Sequence, residues 1–470
     1  MSIQFVASAD LRAATAATAE LTGLQRAALA DRRAYDTLRA LTEQVGQRFA
    51  GSEGDAKAVQ WALATLQAQG FSNVRAEPVT VPHWVRGTAE VTLLGSSSTP
   101  LRALALGGSV GTDGRALEAP VLAVTTVAEL ERLSTEQVRG RIVFLYDRML
   151  ETRDGMDYGN TVRNRSAGAI AAAKRGALAL VIRAVGTEDD DRPHTGTMRY
   201  ADGVPRIPAF AIGNRSADRL LEAFGSGPVT LRIASTSRCA GTAQSANVIG
   251  EIPGRDAGTP QEQFVVLAAH LDSWDVGTGA QDDGAGIAIV TEAARRIAEL
   301  PQRPRRTLRV VLYANEEFGL SGGKQYVLDH AAELDRHVAA LEADLGAGRA
   351  FRFESRVAAS DLPTAIRIGQ SLAPLGVPFV SNDTGGGADI GPLRERGVPV
   401  FELQQDAAKY FEIHHTDADR LEQVDASDLA FNVAAYATVA QALAEAPDLQ
   451  HLARTWPAPQ EGGHPCEWRP

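Results

Sequence analysis

The sequence contains little cysteine and no long apolar run, and both absences limit the class of protein. Two cysteines, Cys239 and Cys466, occur in 470 residues. Neither belongs to a CxxC motif or to a Cys/His spacing, so a thiolate zinc site is not expected, while a single disulfide stays open. No apolar run reaches the length of a membrane span. The sequence therefore predicts neither a sulfur-ligated metal site nor a membrane-spanning protein.

Clustered positive charge is also missing. The net charge is −11, and no basic run is long enough to form a nucleic-acid-binding groove. We therefore do not expect nucleic acid as a partner, whereas divalent cations are compatible with an acidic surface. An apolar content of 44% and a charged content of 22% are ordinary for a globular protein, and the length suffices for two to three domains.

The N-terminal residues lack the pattern of a secretory signal. Residues 1–23 show no basic segment followed by an apolar segment. From this stretch alone we expect either a cytoplasmic protein or a chain from which a leader has been removed.

The second half of the sequence alternates between strand and helix patterns. Continuous apolar runs at 264–269 and 307–314 are typical of buried parallel strands, and a helix pattern at 284–300 lies between them. A further short strand is predicted at 338–343. This alternation predicts an α/β fold with a mixed, mostly parallel central sheet and helices on both of its faces.

The segment from about 114 to 242 has a different pattern. Short β-runs recur there, with helical stretches near 167–175 and 217–224. These features predict a compact, smaller α/β insertion at 114–242. The remaining parts, 1–113 and 243–470, would then form one discontinuous domain.

Polar side chains follow the predicted strands of the second half. His270 and Asp272 follow one strand, Glu316 and Glu317 follow the next, and Asp344 follows a third. In open α/β sheets, ligands gather at the carboxyl ends of the strands, so we expect these side chains to converge.

The placement of these residues suits a two-metal hydrolytic site. In His270-x-Asp272, the carboxylate can hold the imidazole tautomer that binds metal. Asp282 lies in a glycine-rich loop, where the backbone can approach closely and one carboxylate can bridge two ions. The adjacent Glu316 and Glu317 point in different directions, so one can bind metal while the other accepts a proton from water.

Each motif also has an ordinary interpretation. An Asp-Asp-Gly sequence is usually a turn, and a Glu-Glu pair usually lies on the surface. His414 and His415 can be an exposed pair, and Asp344 can cap a turn. The functional interpretation therefore rests on the combination, in this order and at the ends of these strands.

The combined motifs resemble the dinuclear zinc exopeptidases of clan MH. They are most similar to the plasma glutamate carboxypeptidase group, also called carboxypeptidase Q. The resemblance covers most of the chain and rests on the segments 46–52, 194–196, 203–205, 247–254, 270–277, 282–284, 316–317, 342–344 and 410–416.

The resemblance implies two Zn²⁺ ions per chain, with five protein ligands, one of which is a bridging carboxylate. The first ion would be bound by His270, Asp282 and Asp344. The second would be bound by Asp282, Glu317 and His415, so that Asp282 is the bridge. Nitrogen and oxygen ligands of this kind also accept manganese or cobalt, so the native metal stays open.

The resemblance also implies roles for the residues around the ligands. Glu316 would be the general base and later the general acid, and Asp272 would orient His270. His415 is preferred to His414 because the family ligand directly precedes Ser or Thr. A cis peptide bond is expected after the bridging Asp282.

Three further residues are candidates for substrate binding, namely Gly386, Asp389 and Tyr410. The glycines of segment 381–389 suggest that the backbone approaches the substrate there. Asp389 can contact a substrate amine or support the metal ligands. Tyr410 can donate to the oxyanion, or it can be a buried structural residue.

The predicted function is a metal-dependent exopeptidase that hydrolyses dipeptides or short peptides, with dipeptidase or carboxypeptidase action favoured. An aminopeptidase with the same metal centre is the alternative, and a non-catalytic binding protein or a glutaminyl cyclase on this fold are others. The resemblance further implies that segment 114–242 is a protease-associated domain covering the cleft. It also implies a homodimer and a secreted or periplasmic location, although no signal peptide is visible.

Overall fold

The computed structural model describes residues 20–455 and residue 466. The described residues form two eight-stranded sheets with helices packed against them. Within these residues, no helix has both the length and the apolar character that a membrane span requires.

The strands are numbered in chain order. They are β1 (Ser72–Val85), β2 (Ala89–Leu94), β3 (Thr99–Leu101), β4 (Ala103–Ala105), β5 (Leu117–Val124), β6 (Ile142–Leu145), β7 (Ala179–Arg183), β8 (Ala209–Ile212), β9 (Thr230–Ser235), β10 (Arg238–Ile252), β11 (Phe264–His270), β12 (Thr307–Tyr313), β13 (His337–Glu342), β14 (Ala350–Arg356), β15 (Phe379–Ser381) and β16 (Val400–Gln405).

The helices are numbered in the same way. They are α1 (Arg33–Gln44), α2 (Glu53–Ala68), α3 (Val127–Leu130), α4 (Thr135–Val138), α5 (Asp157–Ala173), α6 (Asn214–Ala223), α7 (Ala285–Ala298), α8 (Ser321–Asp329), α9 (Leu362–Gln370), α10 (Gly391–Glu395) and α11 (Ala426–Glu445).

The first sheet is mixed and mostly parallel, as predicted. Its strand order is β1-β10-β12-β11-β13-β16-β14-β15. The central strands β12, β11, β13 and β16 are parallel neighbours, whereas β1 and β10 form an antiparallel edge. The parallel strands β11, β12 and β13 are buried along their whole length, which explains why their sequences are almost entirely apolar.

Helices cover both faces of this sheet. Successive side chains of a strand point to opposite faces, so one strand contributes to two cores. In β12, Val310 packs into the core that includes α1, α2, α7 and α11, and Val311 packs into the core that includes α8 and α10. The sheet is therefore enclosed, and only its edges and strand ends remain available for a site.

The second sheet has the strand order β3-β2-β9-β5-β6-β7-β8-β4, with β5 to β8 parallel. It takes in three strands between residues 89 and 105, which precede the expected boundary at 114. These strands belong there because β2 pairs with β9, and β4 pairs with β8. The division of the chain into a catalytic and an inserted domain stays a prediction.

The helix predicted near 167–175 is longer than its sequence pattern indicated. It is α5, which begins at Asp157. Its buried face consists largely of small residues such as Gly168 and Ala172, which give a weak helical signal. The additional turns place Tyr158 and Arg165 next to the candidate site described below.

A disulfide joins Cys239 at the start of β10 to Cys466, with Cα atoms 5.3 Å apart. The pairing, which the sequence left open, links two positions 227 residues apart. Cys466 packs with Phe49, Trp84 and Trp274 in a small apolar cluster.

Candidate metal centre

Three neighbouring strands end at the same edge of the first sheet and bring the candidate ligands together. In the register of the sheet, His270 at the end of β11 lies opposite Tyr313, the last residue of β12. Ala268 lies opposite Glu342, the last residue of β13. The residues directly after β12 and β13, which include Glu316, Glu317 and Asp344, therefore start beside His270.

Asp282 reaches this edge from the loop 280–284, in which Asp282 and Asp283 have non-helical backbone angles, and its peptide bond to Asp283 is cis, as expected. The carboxylate of Asp419 accepts the backbone N–H groups of Gln281 at 2.7 Å and Asp282 at 3.2 Å. Two further contacts come from Arg48, which is buried and donates to the carbonyls of residues 278 and 279. The loop that carries Asp282 is thus held from both sides.

The first group of ligand atoms surrounds His270. Its Nε2 atom lies 3.0 Å from Asp282 Oδ1 and 3.3 Å from Asp344 Oδ1. Its Nδ1 atom lies 3.1 Å from the backbone carbonyl of Asp272. A proton on Nδ1 would donate to this carbonyl and leave the Nε2 lone pair facing the carboxylates.

The carboxylate of Asp272 lies between His270 and the loop that carries Glu316. Its Oδ1 atom is 3.6 Å from His270 Nδ1, farther than the carbonyl of the same residue. The same oxygen accepts the backbone N–H of Glu316 at 3.0 Å. Asp272 therefore supports His270 with its backbone and the Glu316 loop with its side chain.

The second group of ligand atoms surrounds the other oxygen of Asp282. His415 Nε2 lies 3.2 Å from Asp282 Oδ2 and 2.9 Å from Glu317 Oε2. His414 Nε2 lies 3.4 Å from the same Asp282 oxygen, and the two imidazoles stack with centroids 3.5 Å apart. Both histidines reach Asp282, and of the two His415 also contacts Glu317.

Residues of the second sheet's segment hold His415 in place. The backbone N–H of Thr195 donates to the carbonyl of His415 at 3.0 Å, and the Thr195 carbonyl lies 3.3 Å from His415 Nδ1. Arg165 donates to the carbonyl of Thr195 at 3.1 Å. His415 has a φ of +61°, unusual for a residue with a side chain, and these contacts stabilise that conformation.

The site concentrates negative charge away from water. Burial and the charge of Asp344 raise the pKa of Glu316 well above its usual range, and burial and Asp282 do the same to Glu317. Asp282 Oδ2 is buried and faces imidazole nitrogens, and Glu317 Oε1 is buried and accepts no hydrogen bond from the described residues. Buried carboxylates in this state need a cation, so the donor set fits bound metal.

A cavity of about 960 Å³ opens onto the ligands. Its walls include Asp282, Glu316 and Tyr410 from the metal side and Tyr158 and Arg165 from α5. The cavity thus lies between the two sheets, and access to the metal centre depends on both.

The candidate substrate-binding residues occupy different places. Tyr410 lines the cavity, and burial raises its pKa well above the usual range. Gly386 is buried, and a side chain there would meet Val400. Asp389 is fully buried, and neither of its carboxylate oxygens has a hydrogen-bond partner among the described residues. The structure therefore brings Tyr410 to the cavity and leaves Gly386 and Asp389 behind its wall.

Several supporting residues escaped the sequence analysis. Arg48, Arg165 and Asp419 act through contacts with segments far away in the sequence, and nothing in their local patterns marks them. The segments around Arg48 and Thr195 were part of the family resemblance, which is the one signal that pointed towards them.

Known proteins share both the sequence and the fold. A model of peptidase family M28 matches residues 247–441. Carboxypeptidase Q from Homo sapiens is 35% identical over 419 residues, which cover 88% of this chain and 86% of that protein. Aminopeptidase YwaD from Bacillus subtilis is 23% identical over 406 residues, covering 83% of this chain and 80% of that protein.

A solved structure extends the agreement to three dimensions. The crystal structure of a peptidase M28 precursor from Shewanella amazonensis has a TM-score of 0.90 and 42% sequence identity. It covers 93% of this chain, and 99% of its own chain is matched. Since identity and fold agree over nearly the whole length, this chain belongs to peptidase family M28, which confirms the family and the metal-dependent exopeptidase function predicted from its motifs.

Proposed function

We propose that this chain is an exopeptidase with two zinc ions that hydrolyses dipeptides or short peptides. The observation that carries the proposal is the position of Asp282. One of its oxygens lies 3.0 Å from His270 Nε2, and the other lies 3.2 Å from His415 Nε2. A carboxylate between two imidazoles suits a bridge between two ions about 3.5–4 Å apart.

Two ligand sets follow from this bridge. One ion would be held by His270, Asp282 and Asp344, which form one cluster of ligand atoms. The other would be held by Asp282, His415 and Glu317. The nitrogen and oxygen donors suit zinc, and a structural neighbour from Bacillus subtilis, 21% identical with a TM-score of 0.62, is described as a zinc aminopeptidase.

Glu316 is the proposed general base. Zinc held at such a site would lower the pKa of bound water to about 7 and offset charge that develops on the substrate carbonyl. Glu316 lines the cavity beside the ligands and is not itself part of either ligand set. With cations nearby its carboxylate is charged, so it can take a proton from water and pass it to the leaving amine.

The size of the cavity favours small substrates. Its volume of about 960 Å³ is in the range of small-molecule pockets, and its walls come from both sheets. The similarity to carboxypeptidase Q over 88% of the chain favours carboxypeptidase or dipeptidase action. The similarity to aminopeptidase YwaD supports the alternative, removal of N-terminal residues.

Hydrolysis of one dipeptide in three forms tests the proposal. The free, N-acetylated and C-amidated peptides are each assayed with zinc and with a chelator, and the metal content is measured. Two zinc ions per chain and chelator-sensitive cleavage of the free peptide are expected. Cleavage of the amide but not of the acetylated form would instead indicate an aminopeptidase, and one metal ion per chain would contradict the bridge.

We also propose the assembly that the family resemblance implied. The second sheet and its helices would act as a protease-associated domain that limits access to the cavity, and two chains would form a homodimer. Analytical ultracentrifugation at several concentrations measures the second point directly, and a monomer throughout the range would contradict it.

A further inference from the structure

Three cationic residues line the cavity, and their surroundings differ. Arg165 is buried and is engaged with Thr195 and Tyr158 near His415. Arg199 and Lys324 are exposed side chains. These two are therefore available to a molecule that enters the cavity.

Arg199 and Lys324 come from different segments that border the cavity. Arg199 follows the loop that holds His415, on the side of the second sheet. Lys324 lies in the first turns of α8, seven residues after Glu317. Both residues thus border the cavity that contains the general base.

Neither residue is neutralised by the protein. Lys324 Nζ donates to the carbonyl of Gly319 at 2.8 Å, which is a neutral acceptor. Across residues 20–455 and 466, no carboxylate forms an ion pair with Arg199 or Lys324. Partial burial lowers the pKa of Lys324, and repulsion by Arg199 lowers it further, whereas Asp389 and Glu395 act in the opposite direction without forming an ion pair with it.

We propose that Arg199 and Lys324 bind the free α-carboxylate of the substrate's C-terminal residue. An arginine presents a planar fork of donors that matches a carboxylate, and a lysine adds a compact second charge. Two like charges facing the same space are stabilised when an anion lies between them. This assignment rests on the proposed exopeptidase function and decides which end of the peptide the enzyme recognises.

With metal ions bound, the charge of the site would also favour a substrate whose carboxylate faces Arg199 and Lys324. Cations bound to Asp282, Glu317 and Asp344 would offset the negative charge of these ligands, so the unpaired cations of the wall would then dominate the field. Asp202, on the same loop as Arg199, also lines the cavity and offers one carboxylate to a peptide amine. A dipeptide can therefore be held by both ends, with the carboxylate bound more strongly because two cations share it.

Kinetics with free and C-amidated forms of one dipeptide test the assignment. Arg199→Met and Lys324→Met should each raise KM for the free peptide by about tenfold or more, since each removes a charge-assisted hydrogen bond. KM for the amide and kcat for both substrates should change little. Arg199→Lys should raise KM for the free peptide less than Arg199→Met does, because lysine keeps the positive charge but lacks the planar guanidinium group.

The matched control is Arg163→Met. Arg163 is an exposed arginine of α5 that does not line the cavity, and its removal changes the net charge equally. It should leave both KM values unchanged. An equal rise in KM for the free and the amidated peptide in the Arg199→Met and Lys324→Met variants would overturn the assignment.

A binding measurement separates this assignment from the proposed function. Calorimetry on the zinc-loaded Glu316→Gln variant, with the free dipeptide and its amide, needs no turnover. Tighter binding of the free form, lost when Arg199→Met and Lys324→Met are added, would support carboxylate recognition even if the wild-type protein hydrolysed no peptide. Equal affinities for the two forms would refute it, whatever the activity.

Discussion

Asp282 differs from the other candidate ligands because its two carboxylate oxygens face different histidines. The backbone N–H of Asp282 donates to the carboxylate of Asp419, which holds Asp282 in place. His270 and His415 each face one oxygen of Asp282. Asp344 lies next to His270, and Glu317 lies next to His415. At the scale of single residues, the centre therefore depends on Asp282 more than on any other carboxylate.

Asp282→Ala should lose both metal ions, because each ligand set then keeps two of its three proposed donors. Metal content after gel filtration in zinc-free buffer, measured by plasma mass spectrometry, should fall from two ions per chain to nearly none. Asp189→Ala, which removes a carboxylate that is 80% exposed, is the control and should keep both ions. Retention of two ions by Asp282→Ala would show that this residue is not the bridge.

Glu316→Gln should keep the metal and lose turnover. The substitution preserves the size of the side chain but removes its ability to accept a proton, so kcat should fall by about 10²–10⁴-fold. Zinc content should remain that of the wild type, because Glu316 belongs to neither ligand set. Glu422→Gln, at an exposed position, controls for the loss of a charge. Full activity of Glu316→Gln would remove this residue as the base.

At the scale of elements, the loop 194–196 connects the second sheet to the metal centre. The Thr195 backbone bonds to His415, and Arg165 of α5 bonds to the same loop. Gly196 has a φ of +134°, and a Cβ atom added there would collide with the guanidinium of Arg165. The loop therefore needs glycine at this position both for its backbone and for its contact with α5.

Gly196→Ala should weaken binding of the second metal ion. The added methyl group displaces Arg165 or the loop, and either shift alters the acceptor of the His415 Nδ1 proton. Loss of a hydrogen bond to a metal-binding histidine typically lowers metal affinity by about 10–100-fold. Competition with a chromophoric chelator measures this change. Gly203→Ala is the matched control, since Gly203 also has positive φ but open space around its Cβ position. Equal affinities in the two variants would contradict the role of the loop.

At the scale of the whole molecule, the disulfide joins the edge of the first sheet to Cys466. The sulfur of Cys466 belongs to an apolar cluster with Phe49, Trp274 and Phe318. Trp274 also lies 5.5 Å from the His415 ring, so the cluster borders the metal centre. The crosslink thus stabilises a region where several distant segments meet.

Cys239→Ala combined with Cys466→Ala should lower the free energy of unfolding by about 2–4 kcal/mol, because the unfolded chain is no longer constrained. Chemical denaturation with and without a reducing agent measures this change. Reduced wild-type protein should resemble the variant, and the variant should not respond to the reductant. A wild-type midpoint that is unaffected by reduction would contradict the contribution of the disulfide.

Local patterns in the sequence suffice to predict some parts of this protein. Apolar runs such as 264–269 predict buried strands because parallel strands are covered on both faces. His270 and Glu317 could be proposed as ligands because their residue types follow such strands, and the ends of parallel strands meet. The family was recognisable for the same reason, since its motifs are short and continuous.

Only the tertiary structure decided the contacts between distant segments. Arg165 lies 250 residues from His415 in the sequence, yet its guanidinium is 3.5 Å from the imidazole. The pairing of Cys239 with Cys466 and the placement of Arg199 and Lys324 on one cavity are of the same kind. Such contacts result from the packing of two sheets against each other, and packing leaves no periodic signal in the residues that it brings together.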